Sequence, residues 1–180
     1  SKYLQVDLSG SVGISMYPKN GTTLDELYSK SDEALYEAKR TGKNKYIISR
    51  YTTFKKKYDT IIKEFFHNDF YEALTYSIMI YEEFNRPSVV RWIEYLRFWI
   101  TRKPHTLGIM QVTTDKFIDN EESIRLSMQK IVKDSRDIMK HYWDSPSPDA
   151  NYVAFLIAHN YNPGDYKYAS EVRDIFSQIA

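Results

Sequence analysis

Cysteine is absent from this 180-residue chain, which excludes disulfide bridges and thiolate metal sites. The absence fits a reducing compartment without requiring one. Charge of one sign is also missing. Lys and Arg number 25, Asp and Glu 24, and the formal net charge is +1. Such a balance leaves no strong electrostatic footprint for nucleic acid or an anionic membrane, and no nucleic-acid partner is expected. No apolar run reaches the roughly 18 residues that a membrane span needs. The start, Ser1-Lys2-Tyr3-Leu4, lacks the apolar region of a signal peptide and an initiator Met. The chain is therefore expected to be a piece of a longer protein, cytoplasmic unless its parent is exported to the cell envelope. His67, His105, His141 and His159 show no metal-ligand spacing, and P-loop, dinucleotide fingerprint and nucleophile elbow are all missing. No metal or cofactor is expected.

What is present begins with aromatics, which make up 16% of the chain and include 16 Tyr. Core and interface packing is their plain use, and platforms for sugars the functional one. Val6 to Tyr17 has strand character, with Val6, Leu8, Val12, Ile14 and Met16 spaced mainly in twos. Pro18-Lys19-Asn20-Gly21 signals a turn. Thr23-Leu24-Asp25-Glu26 is a capping box. The helix behind it is expected to bury Leu24, Leu27, Tyr28, Ser31, Ala34, Leu35 and Ala38, and to stop at Gly42. A short strand is expected over Lys45 to Ser49.

Those residues, and above all Asp32-Glu33-Ala34-Leu35-Tyr36-Glu37-Ala38-Lys39, resemble the C-terminal part of a GGDEF, or diguanylate cyclase, domain. The resemblance covers about positions 7 to 48. It implies that Lys39 and Lys43 are vestigial contacts to nucleotide phosphates. A solvated basic helix end is the plain alternative. The family's Gly-Gly-Asp/Glu-Glu-Phe turn and metal-binding Asp lie earlier in its fold, and neither occurs here. Without carboxylates to hold metal, nothing neutralises a triphosphate, and no cyclase activity is expected. An upstream half of the GGDEF domain is the implied partner of this segment.

From about Tyr51 helical periodicity takes over. Phe66, Phe70, Ala73, Leu74, Ser77, Ile78 and Tyr81 share one stripe. Further helices are expected from Ser88 to about Ile100, from Asp119 or Asn120 through Ile124, Met128, Ile131 and Ile138, from Ser147-Pro148 through His159, and on to about Gln178. Glu82 lies four residues after Ile78 and eight after Leu74, on the inward face. Burial there raises a carboxyl pKa, as a general acid requires. The structural alternative is a Glu bonded to Arg86, Arg91 or a buried Tyr.

Two further segments bear on Glu82. Thr106-Leu107-Gly108-Ile109-Met110-Gln111-Val112 and His159-Asn160-Tyr161-Asn162-Pro163-Gly164 follow it in order. With Glu82-Glu83-Phe84 they resemble the goose-type lysozyme and lytic transglycosylase superfamily over residues 74 to 176. The resemblance implies cleavage of the β-1,4 linkage of peptidoglycan or chitooligosaccharide, by a hydrolase or a transglycosylase, with Glu82 as the single acid/base. It makes Gly108, Met110, Gln111, Tyr161 and Asn162 substrate-binding. Gly108 would let backbone approach a sugar, Gln111 offers donor and acceptor, and Met110 packs behind the cleft. For Asn162 the alternative is turn chemistry before Pro163. Where the family has Ser after its acid, this chain has Glu83. Glu83, Glu94 and Asp115 are candidates for a second acid, and His105 and His159 for further contacts. The expected fold is mainly α, a lysozyme-like helical domain over 51–180 preceded by a small β-α-β partial GGDEF segment over 1–50. The competing reading is a non-catalytic signalling or binding module built on a degenerate GGDEF fragment.

Overall fold

The computed structural model describes residues 13–86, 88–142 and 149–180, and of residues 36–44 and 142 the backbone alone. The described chain is mainly helical. In order it runs α1 (Leu24–Phe65), α2 (Asp69–Asn85), α3 (Ser88–Thr101), β1 (His105–Leu107), β2 (Val112–Thr114), α4 (Asn120–Tyr142), α5 (Ala150–Tyr161) and α6 (Tyr166–Ile179). It divides into two compact units, Ser1–Tyr46 and Ile47–Ala180.

In the first unit the turn at 17–20 closes with the Asn20 amide on the Met16 carbonyl at 2.7 Å. The capping box forms as its residues dictate. The Glu26 amide donates to Thr23 Oγ1 at 3.3 Å, and the Thr23 amide donates to Glu26 Oε2 at 3.1 Å. Two expectations fail here. Leu24 and Tyr28 are exposed rather than packed, because no described residue of this unit is buried to make a core over them. The expected β-α-β arrangement is also not found among the described residues. Residues 13–16 are not strand, and the earlier part of the expected strand lies outside the described residues.

Gly42 does not end the helix, and Lys45 to Ser49 is helical, not a strand. The reason is physical. A lone strand leaves its backbone groups unpaired, whereas a helix satisfies them within itself. Helical spacing also places Ile47, Phe54, Tyr58 and Ile62 on one stripe, and all four are buried in the core of the second unit.

That core is built around α2. Asn68 caps its start, accepting from the Phe70 amide at 2.9 Å. Every residue from Ala73 to Ile80 is buried, as befits a central helix. Its buried hydroxyls bond to its own backbone, Thr75 to the Tyr71 carbonyl at 2.8 Å and Ser77 to the Ala73 carbonyl at 2.7 Å. On one side the Tyr76 hydroxyl donates to Asp59 of α1 at 3.1 Å. On another, α6 brings Ala169, Val172 and Phe176, while α5 packs between α4 and α6. Full burial of an aliphatic side chain such as Leu74 or Ile78 contributes about 1.5–3 kcal/mol. Asp119 caps α4, accepting from the Glu122 amide at 2.8 Å. The cap of α5 is Asp149, accepting from the Asn151 amide at 2.9 Å, so this helix begins after the expected Ser147-Pro148, which lies outside the described residues.

Between α3 and α4 the chain makes a small antiparallel hairpin, with Leu107 opposite Val112 and His105 opposite Thr114. Its turn, Gly108-Ile109-Met110-Gln111, closes with the Gln111 amide on the Gly108 carbonyl at 3.2 Å.

Candidate functional site

The C-terminal end of α2, the hairpin turn, α4, α5 and the start of α6 enclose a cleft of about 620 Å³ within the second unit. Three stretches distant in sequence meet there. Glu82 comes from α2, Met110 and Gln111 from the turn, and Tyr161 and Asn162 from the end of α5.

Glu82 sits one turn beyond the fully buried Ile78, where the central helix leaves the core and reaches the cleft. Burial pushes its carboxyl up to about 7 from the ordinary 4.5; the Arg86 guanidinium pulls it back, and the Glu94 charge raises it further. The carbonyl end of α2 also disfavours a negative charge there. Among the described residues no side chain forms a hydrogen bond or ion pair with this carboxyl.

The structural alternative for Glu82, a tie to Arg86 or Arg91, goes to other acids. Arg86 pairs with Glu94 and Arg91 with Glu83, and Arg91 also donates to the Arg86 carbonyl at 2.9 Å. Glu83 and Glu94 are thereby engaged, and neither lines the cleft. Asp115 is exposed and likewise outside the lining. His105 bonds to Thr101 at 2.8 Å and His159 stacks on Phe155, so neither reaches the cleft.

Each residue of the turn has a separate task. Gly108 has φ +76°, and an added Cβ would overlap the Ser123 side chain and stand 3.0 Å from the Asp119 carbonyl. Its close approach is therefore to α4, not to a sugar, and it does not line the cleft. Met110 is 1% exposed and forms a cleft wall, with its amide 3.4 Å from Ser123 Oγ. Gln111 adopts φ +51°, uncommon without glycine, and its Nε2 donates to the Gly108 carbonyl at 3.0 Å. That bond fixes the amide so that Oε1 is a buried acceptor without a protein partner in the cleft lining.

Tyr161 donates its hydroxyl to Ser127 of α4 at 2.8 Å, and Lys130 lies 4.5 Å over its ring. Burial holds its phenol well above the ordinary value. Asn162 is both lining and cap, since its backbone amide closes α5 on the Ala158 carbonyl at 3.0 Å. The side chains of Lys39 and Lys43 lie outside the described residues.

Several cleft residues were not legible in advance. Tyr168 is buried, its hydroxyl has no hydrogen-bond partner among the described residues, and its phenol is raised by burial and then by the Glu82 charge. Its ring packs edge-on against Tyr81 at 4.6 Å and parallel to Tyr161 at 6.4 Å. In the sequence Tyr168 reads as one more apolar position of α6. Asp165 is a second lining carboxylate, but its Oδ1 accepts from the Tyr168 amide at 2.9 Å and caps α6. The cleft can hold a neutral acid beside a partnerless amide oxygen and phenol. No group of three His, Cys, Asp or Glu that could hold a metal is found among the described residues.

A family model, the GGDEF domain of diguanylate cyclases, matches residues 1–45. The match is confined to the N-terminal segment and ends before α2 begins. No curated protein and no solved structure matches the chain. No lysozyme-like protein is matched, and that resemblance rests on the three sequence segments alone.

Proposed function

We propose that the second unit is a lysozyme-like glycan-cleaving domain acting on the β-1,4 linkage of peptidoglycan. The observation that carries this reading is Glu82, whose half-buried carboxyl is pushed up to about 7 and lines a cleft with Gln111 and Tyr161. A carboxyl that keeps its proton near neutrality can donate it to a glycosidic oxygen. The glycosidic C–O bond breaks as the substrate's acetamido oxygen bonds to the anomeric carbon. The carboxylate then takes a proton from the water or sugar hydroxyl that attacks that carbon and releases the acetamido oxygen. Gln111 Oε1 accepts from an acetamido N–H, and the Tyr161 hydroxyl, set by Ser127, orders the same sugar. With Glu83 and Glu94 held by arginines, a single-acid course fits best, with the substrate's own acetamido oxygen attacking the anomeric carbon.

A second reading is favoured by the GGDEF match over residues 1–45. In it the chain is a non-catalytic signalling or binding module built on that degenerate fragment. Incubation of wild type and Glu82→Gln with chitooligosaccharide separates the two. The enzyme reading expects shortened chains from wild type only, with both proteins binding. Binding without turnover, or no binding, supports the module. Calorimetry with GTP and cyclic di-GMP is expected to show no heat, and saturable binding would instead favour nucleotide sensing by the first segment.

A further inference from the structure

Helix α3 turns most of its large apolar side chains outward. Successive residues turn by about 100°, so Val89, Trp92, Ile93, Leu96, Trp99 and Ile100 fall within an arc of about 120°. That arc faces solvent, with exposure from 44% at Leu96 to 73% at Ile100. The opposite side carries Phe98, which packs with Leu107 and Ile118, and two charged residues. Arg91 is buried and paired with Glu83, and Glu94 is paired with Arg86. A helix that serves only to cover a core would place these groups the other way round. Phe117 extends the patch, with its ring 6.0 Å from that of Trp99.

The polar groups around the apolar arc share one sign. Arg97, Arg102 and Lys103 are exposed, and Arg102 lies 4.7 Å over the Trp99 ring. From Ser88 to Pro104 the only acid is Glu94, which is turned inward. A second copy of this face would set three cations against three with nothing to neutralise them, which argues against self-association. An anionic lipid surface supplies the missing charge. Tryptophan settles at the headgroup level, and arginine and lysine meet lipid phosphates. At 14 residues α3 is too short to cross a bilayer and suited to lie along one.

We infer that the outward face of α3 docks on an anionic phospholipid surface, with Trp92 and Trp99 in the headgroup layer and Arg97, Arg102 and Lys103 on lipid phosphates. This stands apart from the chemistry of the cleft, to which α3 contributes no lining residue.

The test is co-sedimentation of the full chain with phosphatidylcholine vesicles with and without phosphatidylglycerol. Wild type is expected to pellet only with the anionic vesicles and to be released by salt. The pairs Trp92→Ser with Trp99→Ser and Arg97→Glu with Lys103→Glu are each expected to weaken binding about tenfold or more. Their helical circular dichroism should stay unchanged, since all four side chains are exposed. Three results overturn the inference: no pelleting of wild type, equal pelleting of the variants, or a wild-type dimer in the ultracentrifuge that both variants abolish.

Discussion

Glu82 is the residue on which the proposed chemistry turns. Its folded-state pKa, about 7 against an ordinary 4.5, means that the folded chain holds a proton that the unfolded chain has released between those values. Stability therefore falls as pH rises from about 4.5 to about 7 and is lowest above that. Glu82→Gln removes the buried charge. It is expected to match wild type in urea denaturation at pH 4 and exceed it by about 1–2 kcal/mol at pH 8. An unchanged difference across that range would mean a hydrated carboxyl. Tyr168→Phe deletes a hydroxyl that has no protein partner, so stability should move by less than about 0.5 kcal/mol while glycan turnover drops. Stability lost with turnover intact would make that hydroxyl structural. At this scale the sequence was legible where periodicity spoke. Glu82's place follows from Leu74 and Ile78, but the diversion of Arg86 to Glu94 and of Arg91 to Glu83 depends on how α3 crosses α2, which no spacing encodes.

Among elements, the hairpin and the arginine pairs set the shape of the cleft. Gly108→Ala forces a Cβ into Ser123 at positive φ and is expected to cost roughly 2–4 kcal/mol, seen as a lowered Tm. A neutral result would show that the turn can move off α4. Glu83→Ala leaves Arg91 buried without its carboxylate, so a loss of roughly 3 kcal/mol is expected in denaturant melts, with the cleft's chemistry unaffected below the transition. The helices α2, α3, α4 and α6 could be read from caps and stripes. The continuation of α1 through Gly42 into Ile47 could not. Its deciding factor is not local preference but the lack of a described neighbouring strand and the presence of a core waiting for Ile47. The turn motif was legible as a motif, but Gly108's close neighbour, α4, was not.

For the whole molecule, a net charge of +1 hides an uneven distribution, since the outward face of α3 carries cations and tryptophans without acids. The units also differ in kind. The GGDEF-matching segment has no buried described residue, whereas Ile47–Ala180 owns the core and the cleft. The glycan cleavage proposed above would belong to the second unit. The most direct measurement is mass spectrometry of purified peptidoglycan strands after incubation with the full chain at pH 6, beside Glu82→Gln. Wild type is predicted to release muropeptide fragments cut at the β-1,4 linkage, hydrolysed or anhydro-ended, and Glu82→Gln none. Intact strands from both proteins, or the same fragments from both, would contradict the account.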